Sequence, residues 1–228
     1  MALEMQKQTN NEKFNITTRS GEVISLSKKT VEDYLTNGQS ITNSEFTMFF
    51  QMCKNYQVNP FLREAYIVKY GNQPATIVLD YKVLQQTAEN NPMYAGMKTG
   101  VLVVNGEGKE IVREGSYLLP NETLIAGWCE VARKDRSVNN RVYSMFDEFK
   151  QCKKDGELNS NWSGKPVFMI TKVAKAQALR EAFPNMFGSN IYISEELGTE
   201  DIIDTAITEK EKVESSTLEE ALNMVESE

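Results

Sequence analysis

A chain of 228 residues with a net charge of −7 and no histidine cannot support several common kinds of chemistry. Without histidine there is no Ser-His or Cys-His nucleophile pair, no HExxH metalloprotease helix and no histidine-ligated zinc. The three cysteines are far apart and predict neither a disulfide framework nor a metal site, and no run approaches the roughly 18 apolar residues of a membrane helix. We expect a cytoplasmic protein with no membrane segment, metal or other cofactor.

The first half of the chain predicts helices and a pair of strands. Residues 1–24 are polar and are expected to form a flexible N-terminal segment. Two helices follow, and the second opens with a capping box made by Thr42 and Glu45. Two strand-like runs, 65–70 and 75–79, then precede a further helix.

The second half predicts an antiparallel strand meander followed by helices. Short strands separated by turn signals run from residue 97 to residue 145, and one of them is expected at 117–119. A short helix near 144–152 and a polar loop lead to a longer helix over 166–183, which begins with proline and is followed by proline. We therefore expect residues 25–193 to form an α+β core in which the meander packs against helices.

The net charge hides an asymmetry along the chain. Residues 194–228 contain 12 acids and two bases, a net of −10, which leaves +3 for the rest of the chain. Residues 133–180 hold 11 bases against five acids, a net of +6. Such an asymmetry of sign suggests a body that binds nucleic acid and a separate acidic segment that binds something else.

The acidic segment, 194–228, has the composition of a flexible tail, but its end differs. A short amphipathic helix is predicted over 216–227, and its apolar stripe contains Leu218, Leu222 and Val225. We interpret this stripe as a partner-binding helix at the end of a tether. The alternative is a frayed terminus without a partner.

Two enzymatic functions fit the sequence poorly. The segment 163–166 has part of the pattern of a phosphate-binding loop, but two required positions hold Asn159 and Pro166 instead. A nuclease would need a cluster of acids for its metal ions, and a pair such as Asp147-Glu148 is explained equally well by an exposed helix start. We expect neither ATP hydrolysis nor catalytic residues.

Two basic clusters within 133–180 could form a track for phosphates. The loop at 133–136 carries three cations in four residues, Arg133, Lys134 and Arg136. The alanine-rich helix that follows carries Lys172, Lys175 and Arg180. The alternatives are an exposed turn and a core helix whose basic side chains only reach out to solvent. Trp162, in the polar loop between the clusters, is a candidate for stacking against bases.

The order of these motifs resembles the phage recombination protein Bet family, the Redβ-like branch of the RecT single-strand annealing proteins. The resemblance covers residues 25–193 and rests on Asn59-Pro60-Phe61 with Arg63-Glu64, the 133–136 loop, Trp162, Pro166 and the segment 178–183. It implies a Rad52-like annealing core that binds single-stranded DNA and anneals complementary strands without ATP in homologous recombination. By position, it also implies that Arg63, Lys134 and Arg180 contact DNA.

The same resemblance implies partners. It implies a homo-oligomer, either a ring or a helical filament, that holds single-stranded DNA and the annealed duplex. It also implies a 5′-to-3′ exonuclease partner in the bacterial host cytoplasm, and a host single-strand-binding protein is a second candidate for the tail. Annealing releases roughly 1.4 kcal/mol per base step and needs no hydrolysis. Two alternatives stay open: an adaptor that shields single-stranded DNA or RNA without annealing it, and a metal-dependent nuclease.

Overall fold

The computed structural model describes residues 12–36, 39–69, 73–188 and 191–198. The strands in this part of the chain are β1 (Phe14–Thr17), β2 (Val23–Leu26), β3 (Ala65–Val68), β4 (Thr76–Leu79), β5 (Tyr94–Val104), β6 (Glu110–Glu114), β7 (Thr123–Arg133) and β8 (Asn140–Met145). The helices are α1 (Lys28–Leu35), α2 (Asn43–Tyr56), α3 (Tyr81–Glu89), α4 (Phe146–Phe149), α5 (Ser160–Gly164), α6 (Pro166–Ala182) and α7 (Ser194–Leu197), with a 3-10 turn at Pro60–Leu62. The predicted α+β class, with antiparallel strands packed against helices, is confirmed.

The largest sheet has four antiparallel strands in the order β6-β5-β7-β8. Its central strands, β5 and β7, are each 11 residues long, and their pairing runs from Tyr94 opposite Arg133 to Val104 opposite Thr123. Two register irregularities interrupt this pairing, and such bulges increase the local twist of a sheet. The other strands form two separate hairpins, β1-β2 and β3-β4.

Helix α6 packs directly against the large sheet, and its small residues allow the close approach. Ala174, Ala178 and Ala182 are fully buried on this helix. On the facing strand β7, a Cβ added to Gly127 would lie 2.7 Å from the carbonyl oxygen of Ile170. Glycine at this position therefore lets the backbone of the sheet touch the backbone of the helix, which fixes where the basic side chains of α6 emerge.

Helix α2 begins as the sequence predicts. The Thr42 hydroxyl accepts a hydrogen bond from the Glu45 backbone at 3.2 Å, and the Glu45 carboxylate accepts one from the Thr42 backbone at 2.7 Å. The buried face of the helix carries Phe46, Phe49 and Cys53. The capping box and the apolar spacing were both local signals, which is why the sequence alone located this helix.

The N-terminal segment differs from the prediction. Residues 14–17, within the segment 1–24 that was expected to be flexible, pair with residues 23–26 in the β1-β2 hairpin. Ile16, Ile24 and Leu26 are buried, and the ring of Phe14 lies 5.4 Å from that of Phe50 on α2. The alternation in β2, with every second side chain buried, is a strand signal too short to stand out among polar neighbours.

Two further predictions in the meander are wrong. Residues 117–119 do not form a strand: Tyr117 and Leu119 are exposed, and the connection from β6 to β7 is closed by an ion pair between Arg113 and Glu122. The helix expected near 144–152 is reduced to the four residues of α4, because Ser144 still pairs with Gly127 in the sheet. Ladder hydrogen bonds outweigh the helical preference of this short run.

The predicted helix over 216–227, with Leu218, Leu222 and Val225, lies outside the described residues, as does most of the predicted tail. None of the helices in the described part of the chain is long and apolar enough to span a membrane.

Candidate nucleic-acid interface

The predicted basic side chains of α6 are partly exposed along an otherwise buried helix. Pro166 occupies the first turn of α6, where its missing N–H costs nothing, and the helix ends at Ala182. Lys172, Lys175 and Arg180 are all of intermediate exposure, whereas nine other residues of α6 are buried. The helix is therefore both a core element and the carrier of three cations at the surface.

Two aromatic rings flank the lysines. The Lys172 ammonium lies 4.7 Å from the ring centroid of Phe168 and 5.4 Å from that of Tyr81, the first residue of α3. The Lys175 ammonium lies 5.6 Å from the Tyr81 ring. We call Tyr81, Phe168, Lys172 and Lys175 the aromatic–lysine cluster. Rings and cations in this arrangement can contact both the bases and the phosphates of a nucleic acid.

The surroundings of Lys175 disfavour its charge. Burial lowers the pKa of the Lys175 ammonium, and the nearby charge of Lys172 lowers it further. A cation held in this way gains more from a neighbouring anion than one fully solvated, because the anion favours its charged form. Lys175 is therefore well placed to respond to a bound phosphate.

Two of the three cations on α6 already have anionic partners within the chain. The Lys172 ammonium donates to the Glu195 carboxylate, and the Arg180 guanidinium donates to both carboxylate oxygens of Glu196, one of them at 2.8 Å. Both glutamates lie in the one-turn helix α7, directly after the core. The acidic tail predicted from composition thus begins with residues that contact the basic helix.

The second basic cluster lies in the connection between β7 and β8, where the three cations have different surroundings. Arg133 is held on several sides: its guanidinium donates to both oxygens of Asp135 and to the carbonyl of Ala182, and lies 4.7 Å from the Phe183 ring centroid. Its side chain is 16 % exposed. Arg133 therefore connects the loop to the C-terminal end of α6.

Lys134 and Arg136 extend from the same loop into solvent. Both are exposed, and the Lys134 ammonium donates to the carbonyl of Pro92 at 3.0 Å. The Lys134 backbone N–H donates to the carbonyl of Met93 at 2.8 Å, which fixes the base of the loop. Residues 135–140 line a shallow depression of about 450 Å³ beside Arg136. Two cations beside an open depression suit a flexible chain of phosphates.

Arg63 emerges from a different turn. It follows the 3-10 turn in a left-handed conformation, with φ of 63°, and its backbone N–H donates to the Pro60 carbonyl at 3.1 Å. The carbonyl of the next residue, Glu64, accepts a hydrogen bond from the backbone of Asp80 at 3.0 Å. Because α3 starts immediately after Asp80, Arg63 lies at the same end of the β3-β4 hairpin as the start of α3, the helix that supplies Tyr81.

Trp162 is not at the surface. The loop in which it was predicted is the short helix α5, capped by the Asn159 side chain, and the Trp162 ring is fully buried beside Phe146 at a centroid distance of 5.8 Å. It packs in a small apolar cluster with Ile170 and Val173. No exposed face of the ring is left for a base to stack on in this conformation. The polar Asn and Ser residues around Trp162 are typical of an exposed loop, which is why the sequence did not indicate that its side chain is buried.

Phe168, which was not predicted from the sequence, is better placed than Trp162 to stack against a base. Phe168 is 47 % exposed and lies one turn before Lys172 on α6. Side chains four residues apart on a helix are neighbours, so the spacing of Phe168 and Lys172 was the sequence signal that could have identified Phe168.

A second feature that was not predicted is Arg141 on β8, whose guanidinium lies 4.4 Å from the Trp128 ring centroid and 6.0 Å from that of Tyr143.

An α+β body with two basic clusters and exposed aromatic rings defines a candidate nucleic-acid-binding protein. Comparison with family models makes this specific: the model of the RecT family matches residues 21–213, and the chain belongs to the RecT family. RecT proteins anneal single strands in DNA recombination, so membership implies single-strand annealing and binding of single-stranded DNA. A search of curated proteins found no match to the chain.

Proposed function

We propose that the protein binds single-stranded DNA along a surface that includes the 133–136 loop and α6, and that it anneals complementary strands without ATP. The observation that carries this proposal is the Arg133 contact with the carbonyl of Ala182, because it connects the 133–136 loop to the C-terminal end of α6, the helix that carries the other basic cluster. Lys134 and Arg136 supply cations at one end of this surface, and the aromatic–lysine cluster supplies cations and rings on α6. Family membership supports the reaction.

In this proposal the cations contact phosphates rather than base edges. Annealing requires that the bases stay available to a second strand, so contacts to the sugar-phosphate backbone are the useful ones. Phe168 can hold a single base by stacking, which is tolerant of sequence because every base has a flat face. Arg63 adds a backbone contact near Tyr81, and Arg133 acts as a positioning residue that holds the loop.

The reaction needs no energy source. Duplex formation is downhill, and what slows it is repulsion between phosphates and the loss of conformational freedom in two flexible chains. A basic surface neutralises phosphates and releases counterions, and a strand held in one extended path has less freedom left to lose. One protomer can contact only a few nucleotides, so we propose that the protein works as a homo-oligomer, in a ring or helical filament, that extends the path.

The test is an annealing assay with two complementary oligonucleotides, each carrying one dye of an energy-transfer pair, mixed with the protein and no nucleotide. We expect pairing to be faster than without protein, and a non-complementary pair should give no signal. Slower pairing would contradict annealing and support the alternative, an adaptor that shields single-stranded DNA or RNA. Shortened strands would instead indicate a nuclease.

Partners of the tail belong to the same proposal. We propose that Leu218, Leu222 and Val225 bind a 5′-to-3′ exonuclease, with a host single-strand-binding protein as the alternative. Changing Leu222→Glu in the full chain should abolish binding to the correct candidate in a calorimetric titration and leave annealing by the protein alone unchanged. Binding of both candidates at wild-type affinity by this variant would contradict the assignment.

A further inference from the structure

The turn α7 brings two carboxylates onto the face of α6 that we assign to DNA. Glu195 contacts Lys172, and Glu196 forms a two-point contact with Arg180. The glutamate side chains are 5 % and 6 % exposed, and those of the two bases are 16 % and 21 % exposed. The carboxylates are therefore enclosed between α7 and α6, and the two cations keep only a small exposed fraction while α7 is in place.

Charge, rather than apolar contact, holds α7 in place. Leu197, its apolar residue, is 37 % exposed, and the Ser194 hydroxyl donates to Glu195 at 2.9 Å. A single helical turn has little stability of its own, because nucleation fixes several residues for one hydrogen bond. The segment 194–197 thus depends on contacts that another anion can replace.

The residues just before α7 are held differently. Ile191 and Ile193 are buried in the main core, and the backbone N–H of Leu79 on β4 donates to the carbonyl of Tyr192 at 3.1 Å. This anchor does not involve either basic cluster. The Ile193 backbone N–H also donates to the Glu196 carboxylate at 3.1 Å, and this bond would break on displacement. The turn can otherwise leave α6 while the Ile191 and Ile193 side chains stay packed, so displacement does not require unfolding of the body.

The geometry of the Arg180 contact also suits exchange with a phosphate. A guanidinium donates two parallel hydrogen bonds equally well to a carboxylate and to a phosphate group. Glu196 accepts both of these bonds, and Glu195 accepts one from a lysine, which binds phosphate as a point charge. The two glutamates present to α6 the kind of anionic oxygens that consecutive phosphates would present.

We propose that Glu195 and Glu196 occupy the positions of DNA phosphates on α6 and are displaced when single-stranded DNA binds. The inference rests on the proposed function, since it assumes that DNA uses Lys172 and Arg180. A strand would first contact the exposed Lys134 and Arg136 and then compete with the two glutamates for α6. Weakly held or short ligands would fail to displace the turn, so the segment restricts binding to strands that engage both clusters.

The first test measures affinity for an oligothymidylate by fluorescence anisotropy, using the full chain with Glu195→Gln and Glu196→Gln. We expect binding roughly tenfold tighter than wild type at equal salt, because the competitor is lost, a difference of about 1.4 kcal/mol. The matched control carries Glu107→Gln and Glu110→Gln, which remove two exposed charges from the β5-β6 hairpin, and its affinity should change little. Affinity equal to or below wild type in the first variant would overturn the inference.

The second test uses the wild-type chain, so it does not depend on how the variant folds. Amide hydrogen exchange of residues 193–198 should become faster when oligothymidylate is added, because the Ile193 N–H donates to Glu196. Exchange at Leu79, whose backbone N–H donates to the Tyr192 carbonyl, should stay slow. Unchanged or slower exchange at 193–198 in the DNA-bound protein would contradict displacement. If the wild-type chain does not bind oligothymidylate at all, the proposed function fails instead, which separates the two claims.

Discussion

At the scale of single residues, the cations of the 133–136 loop differ in how far the fold already uses them. The Arg133 guanidinium is engaged by Asp135, Ala182 and Phe183, whereas Lys134 and Arg136 are exposed. The hydrogen bond from Arg133 also lowers the pKa of the Asp135 carboxyl, so this acid stays charged and keeps Arg133 in place. Lys134 and Arg136 can therefore change conformation to contact a flexible ligand, whereas the Arg133 side chain is held by its contacts.

Replacing Lys134→Ala together with Arg136→Ala should weaken binding of single-stranded DNA. Each lost phosphate contact should also reduce the slope of log affinity against log salt by about 0.7, or about 1.4 for both. The control is Lys13→Ala with Lys109→Ala, which removes two exposed lysines outside the clusters and should alter the slope less. Anisotropy titrations over a salt series measure both quantities. A slope equal to that of wild type would show that the loop does not contact phosphates.

Replacing Phe168→Ala should reduce affinity for oligothymidylate by about 1–3 kcal/mol if one base stacks on the ring. The variant should fold normally, because the ring is 47 % exposed. Trp162→Phe is the comparison: it changes a fully buried ring and should leave affinity unchanged while altering thermal stability. Loss of affinity only in the Trp162 variant would indicate that Trp162, rather than Phe168, stacks against a base.

The residues that the sequence located correctly are those whose signals are local. Thr42 and Pro166 each stand at the start of a helix that the structure contains. Contacts between distant residues could not be read in this way. The ion pairs of Lys172 with Glu195 and of Arg180 with Glu196 join positions 23 and 16 residues apart, and only the packing of the core brings them together.

At the scale of elements, the contact between α6 and β7 leaves no room for a side chain at Gly127. Gly127→Ala should lower the free energy of unfolding by about 1–3 kcal/mol, because the added methyl group would meet the backbone of Ile170. Gly164→Ala is the control, since a Cβ there meets nothing within 4 Å. Urea denaturation measures both variants. Equal stability of the two would show that the helix can move away from the sheet at little cost.

Glu45 connects α2 to the β3-β4 hairpin. Its carboxylate accepts hydrogen bonds from the backbone of Thr42 at 2.7 Å and of Ala75 at 2.8 Å, and from the Lys69 ammonium at 2.9 Å. These contacts, chiefly the one from Thr42, lower the pKa of Glu45 from 4.5 to about 2. The charged form therefore stabilises the fold fully above about pH 5, and this contribution is lost as the pH falls through 4.5 toward 2.

Replacing Glu45→Gln should lower the free energy of unfolding at pH 7 by about 1–3 kcal/mol, because a neutral amide accepts these bonds less well. The difference from wild type should shrink between pH 5 and pH 2, where the wild-type carboxylate becomes protonated. Glu110→Gln, which removes an exposed charge from β6, is the control, and it should change the free energy of unfolding at pH 7 little. Denaturation curves at pH 7 and pH 3 distinguish these outcomes, and a constant difference would contradict the assignment.

At the scale of the whole molecule, the acidic residues fall into two groups. Glu195 and Glu196 contact the body, whereas residues 199–228 contain a further 10 acids and two bases, a net of −8. The two groups should act differently on DNA, since one competes at specific contacts and the other repels phosphates at a distance that salt screens. The asymmetry was visible in the sequence, but its division into two parts was not.

Deleting residues 199–228 should leave annealing largely intact, because it removes a net charge of −8 and keeps α7. Affinity for oligothymidylate should rise modestly at low salt and match that of the full chain at high salt. The same energy-transfer assay and anisotropy titrations measure both effects. A truncated chain that folds but no longer anneals would show that the tail takes part in the reaction.

The Arg133 bridge between the loop and the end of α6 has a consequence for the shape of a bound strand. Because Arg133 holds the base of the loop against the C-terminal end of α6, the fold limits how far the loop can move from the helix that carries Lys172, Lys175 and Arg180. A strand held at both clusters would therefore be extended within a limited range of lengths. A strand limited in this way would have fewer conformations in which its bases are out of register with a second strand, so the Arg133 bridge would contribute to the accuracy of pairing.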